Sequence, residues 1–149
     1  MFIQEMTTAQ CFALLAHEHV ARLGCSHAGK PYVVPIEYVL AGKRIYSFSL
    51  LGQKITWMRQ NPEVCIQADN IENMQQWKSV LANGHYRELP DTKNLHEDHM
   101  RAWALLEKHA NWWDPGGYKP RLPDAGSKPV FFFVEVDEVT GRIAIESSR

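Results

Sequence analysis

The residues best placed to do chemistry are Ser47, Ser49, Gln53 and Lys54, in the run Ser47-Phe48-Ser49-Leu50-Leu51-Gly52-Gln53-Lys54. Arg44 to Ser49 alternates as a strand, and Gly52-Gln53-Lys54 opens a helical pattern just after it. A helix start carries free backbone N–H groups and the positive end of the helix dipole. A glycine, an ammonium group and two hydroxyls at that point can together neutralise a phosphate. Tyr46 or Phe48, on the same strand, can lie against a ring. The plainer alternative is that Gly52 only shapes the helix start and Lys54 is solvated.

Upstream, Tyr32 to Leu40 is β-branched and aromatic, but Pro35 interrupts it. Proline lacks the N–H that a central strand donates, so Pro35 marks a sheet edge, a bulge, or backbone that faces something other than a neighbouring strand. A flat heterocycle is one such partner; an ordinary edge is the alternative. Glu37 lies on the face opposite Ile36 and Tyr38 and is readable as solvated.

Other constellations are less directed. His17-Glu18-His19 and His96-Glu97-Asp98-His99 do not form HExxH, so no metal site is expected. Cys11, Cys25 and Cys65 are far apart, odd in number and without a CxxC pair, which points to reduced core thiols; only Arg22 is a basic neighbour, of Cys25. No residue stands out as a catalytic acid, base or nucleophile. Trp112-Trp113, before Asp114-Pro115, covers a ligand or partner, or pins a helix end. Trp77-Lys78-Ser79 borders a ring site, or Trp77 is a core or dimer contact.

The elements that must hold these residues follow from periodicity. Thr7 or Thr8 caps a short helix to about Glu18, with Cys11, Leu14 and Leu15 on its apolar side. Val20 to Ser26 is a strand whose Ala21, Leu23 and Cys25 face the core, and His27-Ala28-Gly29-Lys30 turns it into Tyr32 to Leu40 as a hairpin. Ala41-Gly42-Lys43 is the next turn. The helix from Gly52 stops at Asn61-Pro62, and Glu63 to Asp69 and Trp77 to Leu89 are further strands, the latter bulged or bent at Asn83-Gly84. A helix from about Asn94 to Ala110 and a long loop precede Val130 to Val139, the strongest strand. Thr140-Gly141 is expected to turn it into a short Arg142 to Ile145.

Six or seven strands joined mostly by short turns, without a βαβ rhythm, predict a mainly β domain: an antiparallel β-barrel with peripheral helices. The 149 residues, 45% hydrophobic, suit one domain over 1–149. Sixteen basic against seventeen acidic side chains give no field favouring nucleic acid or an anionic membrane. With no leader-like segment and no apolar run of membrane-spanning length, a cytoplasmic protein is expected.

The segments RLGCSHAGKPYVVPIEYVLAGKRIYSFSLLGQKITWMRQNPEVCIQAD and WKSVLANGHYREL, with WWDP and PVFFFVEVDEVTG, resemble the pyridoxamine 5′-phosphate oxidase-like flavin-nucleotide-binding proteins. The likeness is greatest to the branch that includes nitroimidazole-resistance-type reductases, and covers Ala21 to Leu89 best. It implies an FMN-binding split β-barrel that forms a homodimer, with FMN (FAD as the alternative) in a groove between subunits and NADH or NADPH as a possible donor. Carried over, Pro35, Ile36, Glu37 and Tyr38 line the isoalloxazine edge through backbone and side chain. Tyr46, Ser47, Phe48 and Ser49 flank the ring and ribityl chain, with Gln53 and Lys54 at the phosphate. Trp77 and Ser79 close the groove, from the same or the second subunit. Many relatives carry histidine where this chain has Phe48, and a full set of basic residues for a vitamin phosphate is not found. The resemblance therefore implies an FMN-dependent oxidoreductase of a small flat molecule, not a true pyridoxamine phosphate oxidase. Tyr38, Trp112 and Trp113 are candidates to shape its substrate pocket. The alternatives are a flavin-binding or storage protein without turnover, or a haem-binding split barrel using His27 or His85.

Overall fold

The computed structural model describes residues 1–109 and 129–147. In chain order these form β1 (Phe2–Glu5), α1 (Thr8–His17), β2 (Val20–His27), β3 (Lys30–Glu37), β4 (Val39–Ala41) and β5 (Arg44–Ser49). There follow α2 (Gln53–Gln60), β6 (Glu63–Asn73), β7 (Gln76–Glu88), α3 (His96–His109) and β8 (Val130–Ile145). All strand pairings are antiparallel, in the order β3-β2-β6-β7-β8-β5-β4, with β1 added to β8.

The two ends of that order, β3 and β4, are consecutive in the chain and separated by Tyr38 alone. A sheet whose first and last strands are one residue apart must curl back on itself, which makes the split barrel. At the seam, the Tyr38 N–H donates to the His19 carbonyl at 2.9 Å and the Ser47 hydroxyl to the Glu37 carbonyl at 2.6 Å. The expected single strand from Tyr32 to Leu40 is therefore two. Pro35 lies on β3, the edge strand, where its missing N–H costs no ladder bond.

Ala21, Leu23 and Cys25 of β2 point into the barrel, as alternation requires, with Val64, Ile66 and Ala68 of β6 and Val80 and Ala82 of β7. Helix α1 supplies Cys11, Leu14 and Leu15 to this core, and its start carries a full capping box between Thr7 and Gln10. A second apolar cluster lies under α3, where Ala102 and Leu106 meet Tyr46, Phe131 and Phe133. At the β2–β3 turn Ala28 and Gly29 both have positive φ (51° and 79°), the geometry of a two-residue type I′ hairpin.

Two features of β8 differ from expectation. Thr140-Gly141 does not end the strand, which runs unbroken from Val130 to Ile145. Gly141 is there for contact: a Cβ on it would lie 2.8 Å from Cys11 Sγ and 2.9 Å from Met6 Sδ. In addition, β1, which sequence alternation did not reveal, pairs with the last residues of β8, Phe2 opposite Ile145 through Glu5 opposite Arg142. Asn83-Gly84 does mark a bulge: Asn83 pairs with Glu138 and Gly84 with Val136, leaving Asp137 as the extra residue.

That bulge flips the facing of β8. Before it, Phe132 and Val134 are inside and Phe131 and Phe133 lie under α3; after it, Val139 packs inward. One strand thus serves two cores. Gly84 permits this, because a Cβ there would sit 2.1 Å from the Glu135 carbonyl oxygen. Gly84→Ala is expected to destabilise the protein by about 3 kcal/mol in denaturant unfolding, since backbone must move. Gly29→Ala, which meets nothing within 4 Å and strains only φ, should cost about 1 kcal/mol.

Candidate functional site

Curling brings together the end of β3, the end of β5 and the start of α2. Ser47 is fully buried, and its hydroxyl is donated across the seam to Glu37. Ser49 donates to the Leu50 carbonyl at 2.8 Å. Both hydroxyls thus hold backbone in place and offer a ligand only their lone pairs in this arrangement. Phe48 is half-buried, its ring 6.0 Å from that of Phe131.

Leu50, Leu51 and Gly52 then lead into α2. The N-cap is Gly52, in extended conformation, with no side chain to cap the helix, so among the described residues the first N–H groups of α2 have no side-chain cap bond. Lys54 sits in this first turn, half-buried. Burial lowers its pKa, the Cys25 thiol acts weakly the other way, and no carboxylate among the described residues pairs with it. Lys54, rather than Arg22, is thus the cation beside Cys25, whose own pKa is raised by burial.

The helix is held firmly. Ile55 and Met58 are fully buried, and the Trp57 ring packs 5.7 Å from both His27 and Tyr32. Asn61 Nδ2 donates to the Ser26 carbonyl at 3.2 Å. Arg59 makes a two-pronged bond to Glu88 on β7, at 2.7 and 3.0 Å, and the Tyr86 hydroxyl donates to the same carboxylate at 2.7 Å. Arg59 first, with Tyr86, holds the Glu88 pKa below the ordinary glutamate range, against the cost of burial.

The remaining predicted residues divide. Pro35 is exposed at the edge and Glu37 is half-buried, whereas the side chains of Ile36, Tyr38 and Tyr46 are buried. Tyr38 has 0% exposure and donates its hydroxyl to the Leu15 carbonyl at 2.7 Å. Tyr46 packs 5.7 Å from Phe133 beneath α3. The Ile36 and Tyr38 side chains are therefore part of the core, whereas Pro35 and Glu37 beside them are not. Alternation told that Tyr38 and Glu37 face opposite ways, but not which way is inside. Trp112 and Trp113 lie outside the described residues.

Trp77 and Ser79 are elsewhere in the chain's fold. Ser47 and Ser49 pair with Phe132 and Val130 of β8, whereas Trp77 and Ser79 pair with Ala144 and Arg142. These are opposite ends of one strand, about 40 Å apart along it at some 3.3 Å per residue. Trp77 and Ser79 belong to the outward face of β3, β2, β6, β7, the second half of β8 and β1. No described helix covers this face, and Val33, Ile71 and Leu81 are exposed on it at 65%, 65% and 38%. It holds two open grooves. One, of about 540 Å³, is lined by Gly24, Cys65, Asn83, His85 and Asp137 among others; the other, of about 640 Å³, by Glu5, Trp77, Ser79, Thr140 and Arg142 among others. His85 is ion-paired with Asp137, and His27 is engaged with Trp57. Among the described residues no three His, Cys, Asp or Glu side chains are grouped to hold a metal ion.

A family model described as pyridoxamine 5′-phosphate oxidase matches residues 7–143. The chain belongs to the pyridoxamine 5′-phosphate oxidase-like family. It is 47% identical over 146 residues to an uncharacterised protein of Rhizobium meliloti, covering 97% of both chains. It is also similar to the crystal structure of a FAD-binding protein of Mesorhizobium loti, with 38% identity, TM-score 0.79, and coverage of 97% of this chain and 99% of that one. The FAD binding protein of Mycobacterium smegmatis shares the fold at 21% identity and TM-score 0.63, over 93% of this chain and 98% of that one.

For a pyridoxamine 5′-phosphate oxidase-like chain, β5 and the α2 start are where sequence reasoning placed them, whereas the seam at Tyr38 divides what reads as one strand from Tyr32 to Leu40. What it missed is β1 with the far end of β8, hence Glu5, Thr140 and Arg142 beside Trp77. The alternation of Thr140, Arg142 and Ala144 was a usable signal, hidden by treating Gly141 as a turn.

Tyr38→Phe should cost about 1 to 2 kcal/mol in thermal or denaturant unfolding, because it leaves the buried Leu15 carbonyl without its donor. A group whose folded pKa is depressed stabilises above its unfolded pKa and loses that stabilisation as pH falls. Glu88 is such a group, so stability should drop on acidification below about pH 4.3. Arg59→Ala should flatten that dependence, and carboxyl NMR titration should show Glu88 moving back toward the ordinary glutamate value.

Proposed function

We propose that this chain is a flavin-binding protein, with FMN as the cofactor and FAD as the alternative, and that it works as a flavin-dependent oxidoreductase on a small flat molecule. The observation that carries the reading is the α2 start. Uncapped N–H groups and the half-buried ammonium of Lys54, which has no carboxylate partner among the described residues, lie just beyond the seam, and the similar protein from Mesorhizobium loti is named a FAD-binding protein. These donors fit a phosphate monoester. Gln53 and Lys54 would hold it, Ser49 and Phe48 would border the sugar chain and ring, and backbone from Pro35 to Tyr38 would meet the ring edge.

A bound flavin supplies hydride and electron exchange at its N5 atom; the protein's part is to bind, orient and keep water from the ring. Phe48, where many relatives carry histidine, makes the ring's border apolar, so this chain places no proton donor there.

Two subunits complete the site in this reading. Trp77 and Ser79 are a β8 length away from Ser47 within one chain, and a homodimer that packs the uncovered outward face would bring one subunit's Trp77 edge to the other's α2. Exposed Val33, Ile71 and Leu81 suit such packing. NADH or NADPH is the expected donor and the cytoplasm the expected compartment; among the described residues no helix is long and apolar enough to cross a membrane.

Purified protein should be yellow, with FMN or FAD identified by the mass of the released flavin. Lys54→Ala should weaken binding by about 1.5 to 3 kcal/mol if its ammonium contacts the phosphate; unchanged affinity would remove Lys54 from the site. Anaerobic addition of NADH or NADPH should bleach the bound flavin. Failure with both would favour a binding or storage role.

A further inference from the structure

The geometry points to a separate binding site, for a free α-amino acid with an apolar side chain, in the groove between the start of α3 and the neighbouring parts of β5, β7 and β8. The groove has a volume of about 480 Å³. It lies over the first half of β8, where alternation sends Phe132 and Val134 into the barrel and turns Phe133 and Glu135 the other way. Register sets Arg87 of β7 beside Phe133, and sets Arg44 and His85 on the two sides of Glu135. Leu95 and Asp98 border the groove from the α3 side. Ser47 pairs with Phe132 and is buried on the opposite face of the sheet, so this site is independent of the flavin reading.

The pairing of the charges selects the ligand. Arg44 Nε donates to Glu135 at 3.0 Å, and its guanidinium lies 4.3 Å from the centre of the Phe133 ring. His85 is ion-paired with Asp137, and Glu88 is held by Arg59. Arg87 and Asp98 are left over. Both are exposed, both border the groove, and neither makes a hydrogen bond or ion pair with any described residue, including each other. An anion would answer Arg87 alone, and a cation would answer Asp98 alone. A zwitterion answers both: its carboxylate takes the planar fork of the Arg87 guanidinium, and its ammonium donates to the Asp98 carboxylate. Leu89, Leu95 and Phe133 supply the apolar part of the lining, which suits an aliphatic side chain on that zwitterion.

The test is an NMR titration of the isotope-labelled full-length protein, as purified, with free leucine. The backbone amides of Arg87, Leu95 and Asp98 should shift together, with Kd of about 1 mM or below. Isocaproate, which lacks the ammonium, and isoamylamine, which lacks the carboxylate, should each bind at least about tenfold more weakly, as should glycine, which lacks the side chain. The exposed substitutions Arg87→Gln and Asp98→Asn should each weaken leucine about tenfold, and each should spare one analogue: Arg87→Gln leaves isoamylamine unchanged, and Asp98→Asn leaves isocaproate unchanged. No shift of these amides at about 10 mM leucine would overturn the proposal. So would any of the three analogues binding as tightly as leucine, or leucine affinity unchanged in either variant.

Discussion

The structure depends on the closing of the sheet at Tyr38. Because β3 and β4 are the two ends of the strand order and yet neighbours in the chain, one residue has to serve as the barrel's seam. Tyr38 does so with three contacts at once: its N–H to His19, its hydroxyl to Leu15, and a side chain fully within the core. Ser47 completes the closure by reaching the neighbouring Glu37 carbonyl. Everything offered to a ligand at this end, from Pro35 to Lys54, is positioned by that seam. Residues that look like ligand contacts in sequence are for this reason partly structural.

A second constraint sits on β8. Sixteen residues cannot keep one facing and line both the barrel core and the surface under α3. The Asn83-Gly84 bulge resolves this by shifting parity at Asp137, and the absent Cβ of Gly84 lets β7 and β8 approach. The first half of β8 then packs Phe131 and Phe133 against α3, while the second half leaves Thr140 and Arg142 on an uncovered face. The separation of Ser47 and Ser49 from Trp77 and Ser79 follows from the same strand, since each pair is registered to one of its ends. In the proposed function, a flavin site that uses both groups takes them from two chains.

Much of this was legible in the sequence because it rests on local chemistry. Alternation in Ala21, Leu23 and Cys25 named the barrel's inside, Asn83-Gly84 marked the bulge, and Gly52-Gln53-Lys54 after a strand marked an uncapped helix start. What was not legible depends on which strands meet. Tyr38 reads as a ligand-facing aromatic within a strand until the strand is seen to end there. Gly141 reads as a turn until Cys11 and Met6 are packed against it. β1 is four exposed residues with no buried face, so periodicity carries no signal for it; pairing with β8 alone makes it a strand. The groove formed by Glu5, Trp77 and Arg142 was invisible for that reason.

The central claim is that the Lys54 half and the Trp77 half of one flavin site come from different subunits. It is tested most directly by mixing Lys54→Ala and Trp77→Ala chains, each expected to bind flavin weakly alone, after subunit exchange. In a mixed dimer one site has both changes and the other has neither. A statistical mixture should therefore recover wild-type affinity in about one site of four, read as a tight phase in flavin titration. Weak binding at every site after verified exchange would contradict the account, because the two halves would then belong to the same chain.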